Sequence, residues 1–130
     1  MENKSLILCD TDILIEFYKG NKKIVQNLEA IGQHNISLSI ITAGELLYGA
    51  FNKRELNQIK KDTEALHLID LDDKIGRVFL QLMLTYVLSH RLSLPDGLIA
   101  ATAIANNIPL YTRNLKDFKY IEGLILYKEK

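Results

Sequence analysis

The sequence predicts an α/β fold in which a mainly parallel central sheet of about five strands is flanked by helices. Five short runs of apolar or β-branched residues alternate with longer segments whose apolar residues have helical spacing. Strands joined by helices form parallel sheets, because a right-handed crossover returns the chain to the same edge. No repeat or linker interrupts this alternation, so we expect one domain over residues 1–130. The predicted strands are residues 5–9, 35–39, 67–71, 108–112 and 124–127.

The first half of the chain combines two of these strands with helical segments. The helix that follows the first strand is expected to begin near Thr11. Residues 21–32 have apolar side chains at helical spacing and end on Gly32, a common helix stop. The second strand leads directly into a further helical segment, residues 39–50.

The second half of the chain repeats the alternation around two longer helices. Residues 72–91 carry acids at the start and basic residues at the end, as the helix dipole prefers, with apolar residues at helical spacing between them. Residues 96–107 follow Pro95 and are apolar enough to be buried. Two short strands then complete the predicted sheet.

Composition and charge restrict the class of protein. The longest nearly apolar run, residues 78–88, is well short of the roughly 18 residues that a membrane span needs. The N-terminal apolar run is too short for a signal peptide, and the single cysteine, Cys9, rules out an intramolecular disulfide. We therefore expect a cytoplasmic protein. Sixteen basic and sixteen acidic residues cancel, which argues against nucleic-acid binding by bulk charge.

Four carboxylates fall where the strands of such a sheet end or the following helices begin. The carboxyl ends of parallel strands share one edge, so these side chains are expected to converge. A cluster of acids repels itself unless divalent cations neutralise it, and carboxylate oxygens without His or Cys favour Mg²⁺ or Mn²⁺. Metal-assisted phosphodiester hydrolysis suits such a site. The four residues are Asp10, Glu45, Asp96 and Asp117.

Each of these acids also has a structural interpretation. Asp10 and Asp96 are both plausible N-caps, and Glu45 completes a capping box with Thr42 in the segment TAGE. Asp117 lies in a short polar segment and is compatible with an ordinary solvated position. The joint placement of all four at one edge of the sheet favours a shared site.

Three segments carry a resemblance to a known family: LCDTDILIEF (8–17), ITAGELLYGA (41–50) and LPDGLIAATAIANNIPLYTRNLKDF (94–118). In this order and spacing they resemble the PIN-domain ribonucleases, and among them the VapC-type toxins of bacterial toxin–antitoxin pairs. The resemblance spans residues 6 to about 118, and its third segment is the most specific. It implies a compact α/β sandwich around a parallel sheet.

The resemblance also implies an activity and a set of site residues. It implies a metal-dependent endoribonuclease in which one or two Mg²⁺ or Mn²⁺ ions position and activate a water that cuts RNA, leaving a 5′-phosphate. The implied targets are transfer RNA or ribosomal RNA. The residues that match the metal-binding acids of the family are Asp10, Glu45, Asp96 and Asp117. Polar neighbours that would orient ligands or substrate are Thr11, Thr112 and Asn114.

A metal cluster changes the meaning of the neutral net charge. If four of the sixteen acids are withdrawn into such a cluster, the sixteen bases exceed the remaining twelve acids by four. Arg113 and the basic residues of segment 52–61 are then candidates for phosphate contacts, although a solvated helix face explains that segment as well. The basic residues of the segment are Lys53, Arg54, Lys60 and Lys61.

One residue departs from the family pattern, and other functions remain open. Asp12 stands where the family usually has Asn or Ser, and we expect it to cap the following helix rather than to bind metal. A degenerate PIN-like binding module is the main alternative. A haloacid dehalogenase-type phosphatase also begins with Asp-x-Asp, but its later motifs are not evident. The three histidines show no ligand spacing.

The partners are expected from the resemblance. It implies a homodimer held inactive by a VapB-like antitoxin, whose C-terminal segment lies over the active-site groove. The segment ELLYGAF carries more apolar side chains than one core face requires, which suits either such a partner or burial in the monomer. Those side chains are Leu46, Leu47, Tyr48 and Phe51.

Overall fold

The sheet contains four parallel strands in the order β3-β2-β1-β4, in a computed structural model that describes residues 5–130. The strands are β1 (Ile7–Cys9), β2 (Ile36–Ser39), β3 (His67–Ile69) and β4 (Leu110–Tyr111). All strands run in the same direction, so the residues that follow them meet at one edge. The predicted α/β sandwich with a parallel sheet is confirmed.

Seven α-helices connect and flank the strands of the described region. They are α1 (Thr11–Tyr18), α2 (Lys22–Ile31), α3 (Ile40–Tyr48), α4 (Lys53–Glu64), α5 (Asp73–His90), α6 (Leu94–Asn106) and α7 (Leu115–Phe118). A short 3₁₀ helix, Gln33–Asn35, precedes β2. Each predicted helical segment is therefore helical, with small differences at the ends.

The predicted fifth strand at residues 124–127 pairs with the sheet only through an isolated bridge between Leu110 and Leu126. The Leu110 N–H donates to the carbonyl of Ile125 at 2.8 Å, and the Tyr127 N–H donates to the carbonyl of Leu110 at 2.8 Å. The segment thus runs beside β4, but β4 has only two residues and offers too short a ladder for a full strand.

Two of the helices begin at serines rather than at the residues suggested by the sequence. The Ser39 hydroxyl accepts the Ile41 N–H at 3.0 Å and caps α3, so Thr42 lies inside the helix and is no cap. The Ser93 hydroxyl accepts the Asp96 N–H at 3.2 Å and caps α6. The interpretations of Glu45 as part of a capping box with Thr42 and of Asp96 as an N-cap are therefore wrong. Neither carboxylate caps its helix.

Hydrophobic clusters cover both faces of the sheet because neighbouring strand residues point to opposite sides. Leu8 and Leu110 pack with α5 and α6, whereas Cys9 and Tyr111 pack on the opposite face with α1 and α2. At Gly97 a Cβ atom would come within 3.1 Å of the Phe79 ring, so α5 packs closely on the first turn of α6. This packing fixes the turn that carries the neighbouring acid.

Within residues 5–130, no helix has the length and apolar character that crossing a membrane requires.

Candidate active site

Asp10 lies at the junction of β1 and α1 and is 4% exposed. One carboxylate oxygen accepts the Thr11 N–H at 2.8 Å and the other accepts the Thr112 hydroxyl at 2.8 Å. Burial, together with the charges of Asp12 and Asp96, raises the pKa of Asp10 to about 7, although the two hydrogen bonds act in the opposite direction. Asp10 is therefore a helix cap, as one interpretation suggested, and it also faces other acids.

Asp12 lies in the first turn of α1, half-buried beside Asp10. Its Oδ2 accepts the backbone N–H of Arg113 at 2.9 Å, while its Oδ1 is buried without a hydrogen-bond partner. Burial raises the pKa of Asp12 as well. The expectation that Asp12 caps the helix is wrong, because Asp10 occupies that position, and Asp12 adds an extra carboxylate to the edge of the sheet.

Glu45 reaches the same edge from α3 through a contact with α1. The Thr11 hydroxyl donates to the Glu45 carboxylate at 2.5 Å and lies 3.1 Å from the hydroxyl of Thr42. Thr11 therefore holds the Glu45 carboxylate, and its predicted role in orienting ligands or substrate stays a prediction. The buried Thr42 is a site neighbour that sequence reasoning took for a cap.

Asp96 and Asp117 are two further carboxylates, carried by helices α6 and α7. Asp96 lies in the first turn of α6, and burial raises its pKa, followed by the charges of Asp117 and Glu45 and, more weakly, of Asp12. Asp117 is half-buried in α7. The four predicted acids and Asp12 thus influence one another electrostatically, and we call these five residues the acidic edge.

The acidic edge is not a closed metal cage. Across the part of the chain that the structure describes, no three His, Cys, Asp or Glu side chains converge closely enough to hold an ion. Its donors nevertheless suit a hard divalent cation, since all are carboxylate oxygens and one buried oxygen of Asp12 lacks a partner. The residues therefore fit Mg²⁺ or Mn²⁺ by their chemistry.

The residues after β4 hold the acids through their backbone and hydroxyl groups. Thr112 accepts the Asn114 N–H at 3.0 Å while it donates to Asp10, and the side chain of Asn114 makes no capping bond. Arg113 donates its backbone N–H to Asp12, but its guanidinium forms a salt bridge with Glu129 at 2.9 and 3.2 Å. The prediction that Arg113 contacts phosphate stays a prediction, and in this structure the guanidinium is engaged by Glu129.

Glu129 was not suggested by any sequence motif. Besides the guanidinium of Arg113, it accepts the hydroxyl of Tyr111 at 2.6 Å. These partners lie 16 and 18 residues away along the chain, so no local spacing signals the contact.

A surface groove adjoins the acidic edge between α1, α3 and α4. It encloses about 610 Å³, and its lining includes Ile15, Leu46 and Ile59 together with Glu45. Of the apolar residues that the sequence singled out in ELLYGAF, Leu46 is buried and Leu47 half-buried, whereas Tyr48 is 94% and Phe51 89% exposed. The structure thus supports burial for the leucines and leaves the two aromatic residues uncovered.

The profile of the PIN domain family matches residues 7–124 of the chain. The chain is 37% identical over 131 residues to Ribonuclease VapC2 of Rickettsia felis, covering 93% of this chain and 96% of that protein. It is 30% identical over 132 residues to Ribonuclease VapC1 of Methanocaldococcus jannaschii, covering 97% of this chain and 90% of that protein.

The fold is also similar to a solved toxin–antitoxin complex from Klebsiella pneumoniae. The two chains superpose with a TM-score of 0.79 at 31% identity, over 95% of this chain and 99% of that one. The similarity extends over nearly the whole of both chains.

Proposed function

Since this chain belongs to the PIN domain family, we propose that it is an endoribonuclease and the toxin of a VapBC-type toxin–antitoxin pair. In this proposal the acidic edge hydrolyses RNA phosphodiester bonds with Mg²⁺ or Mn²⁺. The observation that carries it is the grouping of five acids in the acidic edge, none of which forms a salt bridge within residues 5–130. Burial and neighbouring acids raise the pKa of Asp10 and Asp96, and one buried oxygen of Asp12 has no partner.

The proposed metal ligands are four acids of this edge, with Asp12 as an additional carboxylate. A bound divalent ion would supply Lewis-acid stabilisation of the phosphate and an activated water. The ligands are Asp10, Glu45, Asp96 and Asp117. The match to the PIN domain family argues against the phosphatase alternative. This chain shares only Asp-x-Asp with the haloacid dehalogenase pattern.

The neighbours of these acids act as orienting groups. Thr112 and the Thr11 N–H hold the Asp10 carboxylate from two sides, and the Thr11 hydroxyl holds Glu45. The backbone of Arg113 fixes Asp12. These donors restrict the carboxylates without neutralising them, so the charge needed to attract a cation is retained.

We propose transfer RNA or ribosomal RNA as the substrate, and helix α4 as a source of phosphate contacts. Lys60 pairs with Glu64 at 2.9 Å, so we assign this role to the other basic residues of the segment. They are Lys53, Arg54 and Lys61.

The test is to incubate purified, partner-free protein with total cellular RNA and Mg²⁺ or Mn²⁺ and to map the cut ends. Wild-type protein should give discrete cuts that a chelator abolishes. Asp96→Asn should reduce cleavage by about 1000-fold or more, because several kcal/mol of charge stabilisation is lost. Asp70→Asn is the matched control, since Asp70 is an exposed acid just after β3.

Two outcomes of this experiment would contradict the proposal. Full activity of Asp96→Asn would exclude Asp96 as a ligand, provided that circular dichroism shows both proteins folded. If folded wild-type protein gives no cuts in either metal, the degenerate PIN-like binding module becomes the better account.

We propose a VapB-like antitoxin as the inhibitory partner and the groove beside Glu45 as its docking surface. The groove is apolar along Ile15, Leu46 and Ile59 and continues to a carboxylate of the acidic edge. An antitoxin segment with apolar residues and one basic side chain would match both features. The gene next to this one should encode a small DNA-binding protein, and co-expression of the two should abolish RNA cleavage.

We also propose that the protein is a homodimer. Leu80, Leu84 and Leu88 are 61%, 79% and 87% exposed and share one face of α5 at a spacing of four residues. A two-fold axis would bring this stripe against its own copy. Sedimentation should show a dimer for the wild type and a monomer for Leu84→Lys, whereas a dimeric Leu84→Lys would place the interface elsewhere.

The remaining proposals concern organisation and compartment. We propose that residues 1–130 act as one PIN domain in the cytoplasm. Cys9 is a fully buried free thiol, and burial raises its pKa, so it is chemically unreactive in the folded protein.

A further inference from the structure

Three aromatic side chains pack together where α5 ends and the chain leaves α7. The rings of His90 and Tyr120 are stacked, with centroids 3.9 Å apart and an angle of 7° between their planes. Tyr86 meets both rings edge-on, at 5.8 Å from His90 and 5.0 Å from Tyr120. We call His90, Tyr86 and Tyr120 the aromatic cluster.

Hydrogen bonds hold the aromatic cluster in place. The Tyr86 hydroxyl accepts the Glu122 N–H at 3.0 Å, and the Ser89 hydroxyl lies 2.8 Å from Nδ1 of His90. Tyr86 and Tyr120 are half-buried, whereas His90 is exposed. Tyr120 covers one face of the His90 ring, and within residues 5–130 no second aromatic ring stacks on His90, since Tyr86 meets it edge-on.

The aromatic cluster borders the acidic edge. Tyr120 follows Asp117 by three residues, and His90 precedes Asp96 by six residues across the short α5–α6 connection. After burial, the charges of Asp96 and Asp117 are the strongest influences that raise the pKa of Tyr120. The cluster therefore lies within electrostatic reach of two proposed metal ligands.

Three basic residues are close to the aromatic cluster along the chain. Arg91 directly follows His90, and Lys116 and Lys119 flank Asp117 on and beside α7. All three are exposed, and none forms a salt bridge within residues 5–130. Arg113, by comparison, is engaged by Glu129. Aromatic rings with free cations beside them are the combination that binds unpaired RNA, in which bases stack and phosphates are neutralised.

We propose that the aromatic cluster binds an unpaired nucleotide next to the bond that is cut, with the nucleotide's base stacked on the face of His90 opposite Tyr120. This inference rests on the proposed ribonuclease function and adds a determinant of substrate choice to it. A site of this kind selects single-stranded segments, because a base within a duplex has no free face to stack. Arg91, Lys116 and Lys119 would contact the flanking phosphates.

The test is the binding of a short, unstructured RNA oligonucleotide in which 2-aminopurine replaces one adenine. Binding is measured with Mg²⁺ in the Asp96→Asn background, so that the RNA stays intact, and stacking is seen as quenching of the 2-aminopurine fluorescence. His90→Ala should weaken binding by about 5- to 150-fold, the range that loss of one base–aromatic stack gives. It should also remove the quenching.

Two further variants separate stacking from other roles of His90. His90→Phe keeps a flat ring and should restore binding and quenching. His67→Ala is the matched control, because His67 is an exposed histidine on β3, the strand farthest from β4 in the sheet. It should bind like the parent protein. In the cleaving protein, His90→Ala should raise KM and leave kcat nearly unchanged.

The outcomes distinguish this inference from the proposed function. Equal binding and quenching by His90→Ala and its parent would overturn the inference, as would a His90→Phe protein as weak as His90→Ala. If wild-type protein cleaves RNA and His90→Ala has the same KM, the ribonuclease stands and the stacking site falls. If wild-type protein cleaves nothing but the binding differences are found, the proposed activity falls and the stacking site stands.

Discussion

Two carboxylates, those of Glu129 and Asp12, accept hydrogen bonds from Arg113, and their surroundings differ. On one side, Glu129 accepts two hydrogen bonds from the guanidinium and one from Tyr111, and the hydrogen bond from Arg113 is the main cause that lowers its pKa. On the other side, Asp12 accepts the backbone N–H of Arg113, and burial raises its pKa. The Arg113 guanidinium thus forms a salt bridge with Glu129, whereas Asp12 is half-buried and forms no salt bridge within residues 5–130.

This difference separates a structural carboxylate from proposed functional ones. Glu129 joins the C-terminal segment to β4 through a paired charge, which is an ordinary way to hold two segments together. The hydrogen-bond donors of Asp10 and Asp12 are neutral and burial raises the pKa of both, so their charged forms destabilise the folded state unless a cation is present. The folded protein tolerates this because hydrophobic clusters cover both faces of the sheet.

The largest expected effect concerns the pH dependence of stability without metal. Folding raises the pKa of Asp10 from 3.8 to about 7, so between these values the folded state keeps a proton that the unfolded state has lost. The favourable contribution is full below pH 4 and is lost as the pH rises to 7, by at most about 1.4 kcal/mol per pH unit.

Asp10→Asn removes this dependence and should be more stable than the wild type at pH 8 in chelator. The measurement is the free energy of unfolding in urea at several pH values, expressed as the difference between the two proteins. Glu129 titrates in both and cancels in this difference. If this difference in the free energy of unfolding stays constant from pH 4 to pH 8, folding does not raise the pKa of Asp10. The proposed contrast between Asp10 and Glu129 would then be wrong.

The next effect concerns Asp12, which the sequence assigned to a helix cap. If its carboxylate assists the metal site, Asp12→Asn should lower the rate of RNA cleavage by about 10- to 100-fold, the range seen when groups that support metal ligands are removed. The measurement is kcat/KM on the RNA that the wild type cuts, with Asp70→Asn as the control. Unchanged cleavage by Asp12→Asn would confine Asp12 to a structural role.

The smallest expected effect is the contribution of the Arg113–Glu129 salt bridge to stability. The exposed fractions of the Arg113 and Glu129 side chains are 39% and 27%, so their salt bridge should contribute about 1 kcal/mol or less to stability. A double-mutant cycle with Glu129→Gln and Arg113→Gln measures this coupling from urea unfolding.

Glu129→Gln should also change the acidic edge. Without its partner, the guanidinium is free to turn towards the buried oxygen of Asp12, and the pKa of Asp10 should then fall towards its ordinary value. The pH dependence of stability should therefore weaken in Glu129→Gln and return in the double variant. If Glu129→Gln keeps the pH dependence of the wild type, the orientation of Arg113 does not control the charge of the acidic edge.

The fold followed from the sequence because its signals are local and periodic. Alternation of short apolar runs with helical segments predicted the parallel sheet, and only the short run at 124–127 fell below a full strand. Helix starts were less predictable, because several Ser, Thr and Asp residues compete for one cap. Ser39 and Ser93 are caps in the structure, and no spacing rule distinguished them from Thr42 and Asp96.

The candidate site was predictable only in part. Its four acids follow from topology, since parallel strands end at one edge, and the structure brings their charges within reach of one another. The contacts that tune those charges are not predictable in this way. Arg113 forms its salt bridge with Glu129, which is not part of the acidic edge. The aromatic cluster joins residues from two segments that are distant along the chain. Such contacts depend on the tertiary structure and have no sequence period.

Direct titration with Mn²⁺ tests the central claim, that the acidic edge is a cation site formed by carboxylates without a salt bridge inside residues 5–130. Calorimetry at pH 7.5 should show saturable Mn²⁺ binding to the wild type, binding at least about 10-fold weaker to Asp10→Asn, and unchanged binding to Asp70→Asn. If the folded wild type binds no Mn²⁺, or if Asp10→Asn binds it equally well, the acidic edge is not the metal site.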